Sequence, residues 1–224
     1  MSKIFKHSDV SMDKISFAVP KNLDNGGKII GIYHESKPLI IQTPNLPTVF
    51  GLNKYESSDK YTFDLSFKHM DSNPDVQSFM DTLKALDEKL IEQGIANSSP
   101  WFKRKTDSRD VIEALYTPII KYSKDKETGE ITNKYPPSSR FQVPFRDGKI
   151  ACDVYDTNRQ LIDVTNINTK GMYITAIIQC NGIWIAGGKF GCNFKILQMK
   201  VNPRRDNIVG YSFLSDDEDE VENS

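Results

Sequence analysis

Gly187, Gly188 and Gly191 surround Lys189 and Phe190 in the stretch NGIWIAGGKFGCNFKIL, residues 181–197. Glycines beside a lysine can do one of two things: cradle a phosphate, or bend a sheet. A phosphate-binding loop needs GxxxxGK followed by Ser or Thr, because backbone amides wrap the phosphates and the hydroxyl holds magnesium. Gly182 and Gly187 have that spacing, but Gly188 intrudes before Lys189, Phe190 takes the hydroxyl position, and CNFKILQMKV reads as strand rather than helix. The sheet reading fits at each step. Asn181-Gly182 suits a two-residue hairpin turn or a bulge within one long strand, and Gly187-Gly188 allows a second reversal. Beyond it, Phe190, Cys192, Phe194 and Ile196 alternate with Lys189, Gly191, Asn193 and Lys195. One face is apolar and the other small and basic.

A basic face with aromatics nearby suits an unpaired nucleic-acid strand: Lys and Arg track the phosphates, and flat rings stack on bases for roughly 1–3 kcal/mol each. The same interleaving recurs in WFKRK (101–105), in SRFQVPFRDGK with Arg140, Phe141, Phe145, Arg146 and Lys149, and in KVNPRR with Lys200, Arg204 and Arg205. Most aromatics at alternating strand positions belong to a core, so the signal lies in the clustering.

Catalytic chemistry has little support. His7, His34 and His69 form no HxH or HxxxH pair, and GxSxG, HExxH and GxGxxG are absent. Asp153 and Asp156 could serve a metal-dependent nuclease, though Asp-rich loops are usually solvated. No enzyme activity, metal or cofactor is expected. Cys152, Cys180 and Cys192 are odd in number and far apart in sequence, which suits buried thiols in a reducing compartment.

The elements that must position these residues are mostly strands. KISFAVP, KIIGIYH, KPLIIQTP and KYTFDLSFK fill the first 70 residues; in the last, Tyr61, Phe63, Leu65 and Phe67 share one face, with Thr62, Asp64 and Ser66 on the other. TPIIKYS, SRFQVPF, KIACDVYD, GMYITAIIQC, GIWIA and FKILQMKV follow in the second half, with KDKETGEITNKYPPS as a mobile loop. Such short strands predict an antiparallel sheet or barrel. One helix is expected over about 74–93: Asn73 caps it, Pro74 starts it, Gly94 ends it, and Val76, Phe79, Met80, Leu83, Leu86, Leu90 and Ile91 form its apolar stripe. A shorter helix starts near Ser108 and ends before Pro118.

Apolar residues make up 38% of the 224 and charged residues 26%, ordinary for a chain with a core. No run approaches the roughly 20 apolar residues of a membrane span, and MSKIFKHSDVSMDK lacks the apolar region of a secretory signal. The net charge of −1 conceals a split: residues 1–100 carry −2, residues 101–214 carry +7, and the tail from Ser215 carries six acids and no base. Its acids are Asp216, Asp217, Glu218, Asp219, Glu220 and Glu222. A basic body with a detached acidic tail is common among proteins that handle nucleic acid, since the tail competes for the basic surface.

The segments EALYTPIIKYSKDKETGE through YPPSSRFQVPF, the closing GIWIAGGKFGCNFKILQMKV and the acidic tail together resemble the single-stranded-DNA-binding proteins of the large nucleocytoplasmic DNA viruses, related to the tailed-phage type. The resemblance covers about the C-terminal half. It implies a β-rich α+β fold: one OB-like antiparallel barrel over residues 1–214 with an inserted helix, and a disordered acidic tail over 215–224. It implies sequence-independent binding of single-stranded DNA, with RNA open, through Lys103, Arg104, Arg140, Lys189, Lys195, Arg204 and Arg205. Trp101, Phe141 and Trp184 are the implied stackers, Trp184 lying on either the binding face or the core. The tail would recruit replication proteins such as a DNA polymerase and screen the groove, although it ends in VENS where the phage type ends in an aromatic residue. A homodimer, host cytoplasm or nucleus at sites of viral replication, and packaging in the virion complete the expectation. The alternative is a virion structural or scaffolding protein with a β-barrel core.

Overall fold

Five strands close on themselves. In the computed structural model, which describes residues 3–55, 60–103, 105–106 and 108–202, these are β1 (Leu46–Lys54), β2 (Tyr61–Ser66), β3 (Ser138–Val143), β4 (Tyr173–Ala186) and β5 (Lys189–Asn202). β1 pairs with β2 and β2 with β3, both antiparallel; β3 pairs with β5 in parallel; β5 pairs with β4, and β4 returns to β1, both antiparallel. That 1-2-3-5-4-1 circuit is the OB-like barrel, and closing it removes the open edges a flat sheet would expose. Arg104, Arg204, Arg205 and the tail acids lie outside the described residues.

Alternation sets the barrel's inside. Leu52, Phe63, Phe141, Phe194 and Cys180 stand in register across β1, β2, β3, β5 and β4, and all but the half-buried Leu52 are buried. One residue along, Asn53, Thr62, Gln142, Lys195 and Gln179 form the matching outer row. β1 is a strand the sequence reading omits. Pro47 and Gly51 break its alternation, and a register shift between Thr48 and Leu52 lets Gly51, at φ +81°, lie against Thr169 and Lys170.

β4 and β5 are each 14 residues long and joined by the tight turn Gly187-Gly188, with φ of +57° and +73° and Ala186 opposite Lys189. Positive φ at both central residues is the hairpin geometry that glycine supplies at low cost. Asn181-Gly182 is the bulge, not a turn: Cys180 faces Phe194 and Ile183 faces Cys192 across it. A Cβ on Gly182 would come within 2.3 Å of the Ile30 carbonyl. The bulge thus lets the strand Lys28–Ile30 lie alongside β4.

Three helices occupy the interval between β2 and β3: α1 (Pro74–Ala96), α2 (Ser98–Phe102) and α3 (Arg109–Leu115). The Asn73 side chain accepts the Asp75 N–H at 3.0 Å, the expected cap. α1 does not stop at Gly94. That glycine is buried, and a Cβ there would meet Ile112 Cγ2 and Phe190 Cζ at 2.9 Å, so it permits close packing rather than ending the helix. The apolar stripe of α1 joins the barrel interior in one core. Asp87 fixes the helix further, accepting hydrogen bonds from the Tyr116 hydroxyl at 2.5 Å and the Ile119 N–H at 3.1 Å. No helix among the described residues is long and apolar enough to cross a membrane.

Candidate nucleic-acid interface

On the outer face of β3 and β5, a groove of about 710 Å³ runs across the sheet. Its floor comes from Thr62 on β2, Arg140 and Gln142 on β3, Asn181 on β4, and Asn193 and Lys195 on β5. Its walls come from the β1–β2 connection, with Tyr55, Lys60 and Tyr61, from Thr117, Pro118, Ile119 and Lys121, and from Pro144, Phe145 and Arg146 after β3. Five basic residues therefore line it: Lys60, Lys121, Arg140, Arg146 and Lys195. No acidic residue appears among its described lining residues.

The five cations are not equivalent. Asp64 sits beside Arg140 in the β2–β3 register and is itself only 4% exposed. Its two carboxylate oxygens accept from Arg140 Nε at 2.7 Å and Nη2 at 2.8 Å, a fork-to-fork pair that holds the guanidinium above its ordinary pKa. Arg140 Nη1 donates to the Tyr55 hydroxyl, and its guanidinium carbon lies 5.7 Å from the Tyr55 ring centroid. Partial burial, then the nearby Arg140 charge, lowers the Lys121 pKa. Lys60, Lys121, Arg146 and Lys195 form no ion pair with a described residue, although the Asp64 carboxylate acts on Lys121 from a distance.

Aromatic surface is present at the groove's wall. Tyr61 and Phe145 pack with centroids 4.7 Å apart and planes tilted 31°. Tyr55 is 41% exposed. Gln142 accepts from the Asn181 side-chain amide at 3.1 Å, adding a polar floor between the rings and the lysines.

The expected site residues divide sharply. Arg140 and Lys195 line the groove. Phe141 is 0% exposed beneath the sheet against Phe194, and Trp101 is 5% exposed, edge-on to Phe190. Both are core residues, because their positions face the barrel interior and α1, so neither is placed to stack on a base. Trp184 points outward: it pairs with Gly191, whose missing side chain leaves room for the indole, Cζ2 lying 2.9 Å from where a Cβ would be. It stands half-buried next to the groove, separated from it by Thr117. Lys189 instead donates to the Ala114 carbonyl at 3.0 Å, tying the hairpin tip to α3, and Lys103 is exposed at the end of α2 away from the groove lining.

Residues the sequence did not single out for binding include Tyr55, Lys60, Tyr61 and Lys121. The cluster SRFQVPFRDGK also contains Phe145 and Arg146, which line the groove, whereas Phe141, the expected stacker, is buried. The polar stretch expected to be a mobile loop forms a short hairpin instead, with a Lys124–Ile131 bridge and a turn in which Asp125 accepts from the Glu127 and Thr128 N–H groups.

Other candidate chemistry does not assemble. Asp156 is engaged by the Asn158 and Gln160 N–H groups in a turn, and no group of three or more metal-binding side chains occurs among the described residues. Cys180 and Cys192, 12 positions apart in sequence, approach to 3.2 Å between Sγ atoms across the β4–β5 hairpin. Hydrogen bonding between the two thiols and burial hold Cys192 well above the ordinary thiol pKa, so it is a protonated core residue.

The DUF5871 model, a family of unknown function, matches residues 64–213. No curated protein matches the chain. Among solved structures, gp2.5, a single-stranded DNA binding protein encoded by bacteriophage T7, superposes with a TM-score of 0.45 at 12% identity, covering 83% of this chain and 96% of that one. The C-terminally truncated single-stranded DNA-binding protein of bacteriophage Enc34 gives 0.45 at 12% identity over 88% and 99%. The Enc34 protein in complex with ssDNA gives 0.44 at 14% identity over 86% and 98%.

Proposed function

We propose that this chain, which belongs to the DUF5871 family, is a non-enzymatic protein that holds single-stranded DNA in the groove across β3 and β5. The observation that carries this reading is the groove lining: four lysine or arginine side chains that form no ion pair with a described residue, beside Tyr55, Tyr61 and Phe145, over an amide-rich floor. Phosphates meet the cations and unpaired bases meet the rings, a combination that is indifferent to sequence. A duplex offers no unstacked bases to those rings, so single strands are preferred.

The sequence resemblance set out above supports a role in replication or repair of a large DNA virus, at the sites where its strands are exposed. The six acids of the tail support a second element that competes with DNA for the groove or recruits replication partners. Fluorescence anisotropy with a labelled single-stranded oligonucleotide tests the reading. With four neutralised phosphates, log Kobs is expected to fall against log salt with a slope of about −3, at about 0.7 per phosphate on single strands. Ending the chain at Leu214 is expected to tighten binding. Replacing Lys121, Arg146 and Lys195 together by Ala should abolish most of the slope; unaltered binding by that variant would overturn the proposal.

A further inference from the structure

Arg140 lines the groove, yet its charge is already paired. Asp64 lies almost wholly out of solvent and takes both forks of the guanidinium at 2.7 and 2.8 Å. Moving Arg140 onto a phosphate would leave a carboxylate buried with no partner, which is strongly unfavourable. The third nitrogen of the same guanidinium holds the Tyr55 hydroxyl, and the cation lies 5.7 Å from the ring centroid. Tyr55 is thus gripped at its polar end while much of the ring stays open.

We infer that Asp64, Arg140 and Tyr55 form one charge-compensated platform on which an unpaired base stacks, with Arg140 positioning the ring rather than neutralising a phosphate. The inference rests on the groove being the strand-binding site. It changes the ligand chemistry at this point from phosphate to base. It also separates Arg140 from Lys60, Lys121, Arg146 and Lys195, none of which forms an ion pair with a described residue.

The test compares salt dependence and affinity for a labelled oligothymidine in the full chain. Tyr55→Ala removes the ring alone. The double variant Asp64→Asn with Arg140→Gln removes both charges together, so no buried carboxylate is stranded. Each is expected to weaken binding by a factor of about 5–150, the range for one stacked base, with the salt slope unchanged. Adding Tyr55→Ala to the double variant should cost nothing further, because the three act as a unit. Against an abasic oligonucleotide, Tyr55→Ala should bind as the unaltered chain does. Lys121→Ala, the phosphate control, should reduce the slope by about 0.7.

The inference is overturned if the double variant lowers the slope as Lys121→Ala does, if Tyr55→Ala keeps full affinity, or if the two losses multiply. Thermal melting of each variant separates unfolding from lost binding; Tyr55→Ala, at a half-open surface ring, provides the arm that needs no change to a buried pair. Should Lys121→Ala also leave affinity and slope untouched, the groove itself is not the site, and the inference falls with it.

Discussion

Two aromatic clusters lie on opposite sides of the same sheet. Beneath it, Trp101, Phe102 and Tyr116 surround Phe190 with ring centroids 6.1, 5.1 and 4.9 Å away. Above it, Tyr55 and Phe145 flank a groove lined by lysines and arginines, and Tyr61 lines the same groove while packing against the core. Both clusters sit beside basic residues in the sequence, and the difference between them is what covers each. α1, α2 and α3 enclose the lower cluster, whose rings pack on one another and whose Tyr116 hydroxyl is held by Asp87. No helix covers the upper one, where Tyr55 is 41% exposed and four of the five lining cations form no ion pair with a described residue. An aromatic next to a base therefore signals binding only where the fold leaves it uncovered.

The comparison can be broken by moving damage from one side to the other. Phe190→Ala opens a cavity among three rings and should destabilise the fold by about 3–5 kcal/mol in denaturant titration, while strand affinity per folded molecule stays unchanged. Equal loss of affinity would mean that the lower cluster shapes the groove.

Asp87, on the covered side, gives a pH signature. Burial lifts its carboxyl from 3.8 to about 6, despite the Tyr116 hydroxyl and the Ile119 N–H. A raised folded-state value means that the folded chain binds the proton more tightly. Its contribution is therefore complete below about pH 4 and is lost as pH rises through 6. The shift corresponds to roughly 3 kcal/mol at most. Asp87→Asn should remove that decline between pH 4 and 7 in melting experiments; identical pH profiles for both proteins would refute the account.

Gly94→Ala sharpens the same point at smaller scale. In an exposed helix the change would stabilise by up to about 1 kcal/mol. Here the new methyl meets Ile112 and Phe190 at 2.9 Å, and a loss of about 1–2 kcal/mol is expected from overpacking. A rise in melting temperature would show that α1 can move away from the sheet. Smallest on stability is Phe145→Ala, expected to cost under about 1 kcal/mol while weakening oligonucleotide binding several-fold. A large fall in melting temperature would place Phe145 with the core cluster instead.

These contrasts also mark how far the residues themselves reveal the molecule. Alternation in KYTFDLSFK and in FGCNFKI located two barrel strands and their inner faces, because period-2 patterning reflects which side meets the core. The cap at Asn73 and the stripe of α1 were equally plain. β1 escaped because Pro47, Gly51 and its bulge destroy the alternation that would announce it. Gly94 misled because a glycine admitted for close approach looks, in sequence, like one that ends a helix. The groove was half visible: the +7 half of the chain does supply Lys121, Arg140, Arg146 and Lys195, but Tyr55 and Lys60 come from the acidic half through the β1–β2 connection. Phe141 and Phe145 are four positions apart in one cluster, and only strand register decides that the first faces inward while the second, beyond Val143, reaches the groove. Asp64 shows the converse, a carboxylate on the outer face whose burial depends on an arginine 76 positions away.

The insertion of three helices between β2 and β3 has a kinetic consequence. Ser66 and Ser138 stand opposite each other across the β2–β3 ladder, so their pairing closes a loop spanning 72 positions. The β4–β5 hairpin, with its two-residue turn, needs no such closure and belongs to the microsecond class of local events. Long-range pairing must wait until enough burial compensates the lost chain entropy, and α1 supplies that burial from within the loop itself. The groove floor needs β2, β3 and β5 side by side. It is thus assembled at the last step, and a chain that has made only its hairpin and helix has no groove.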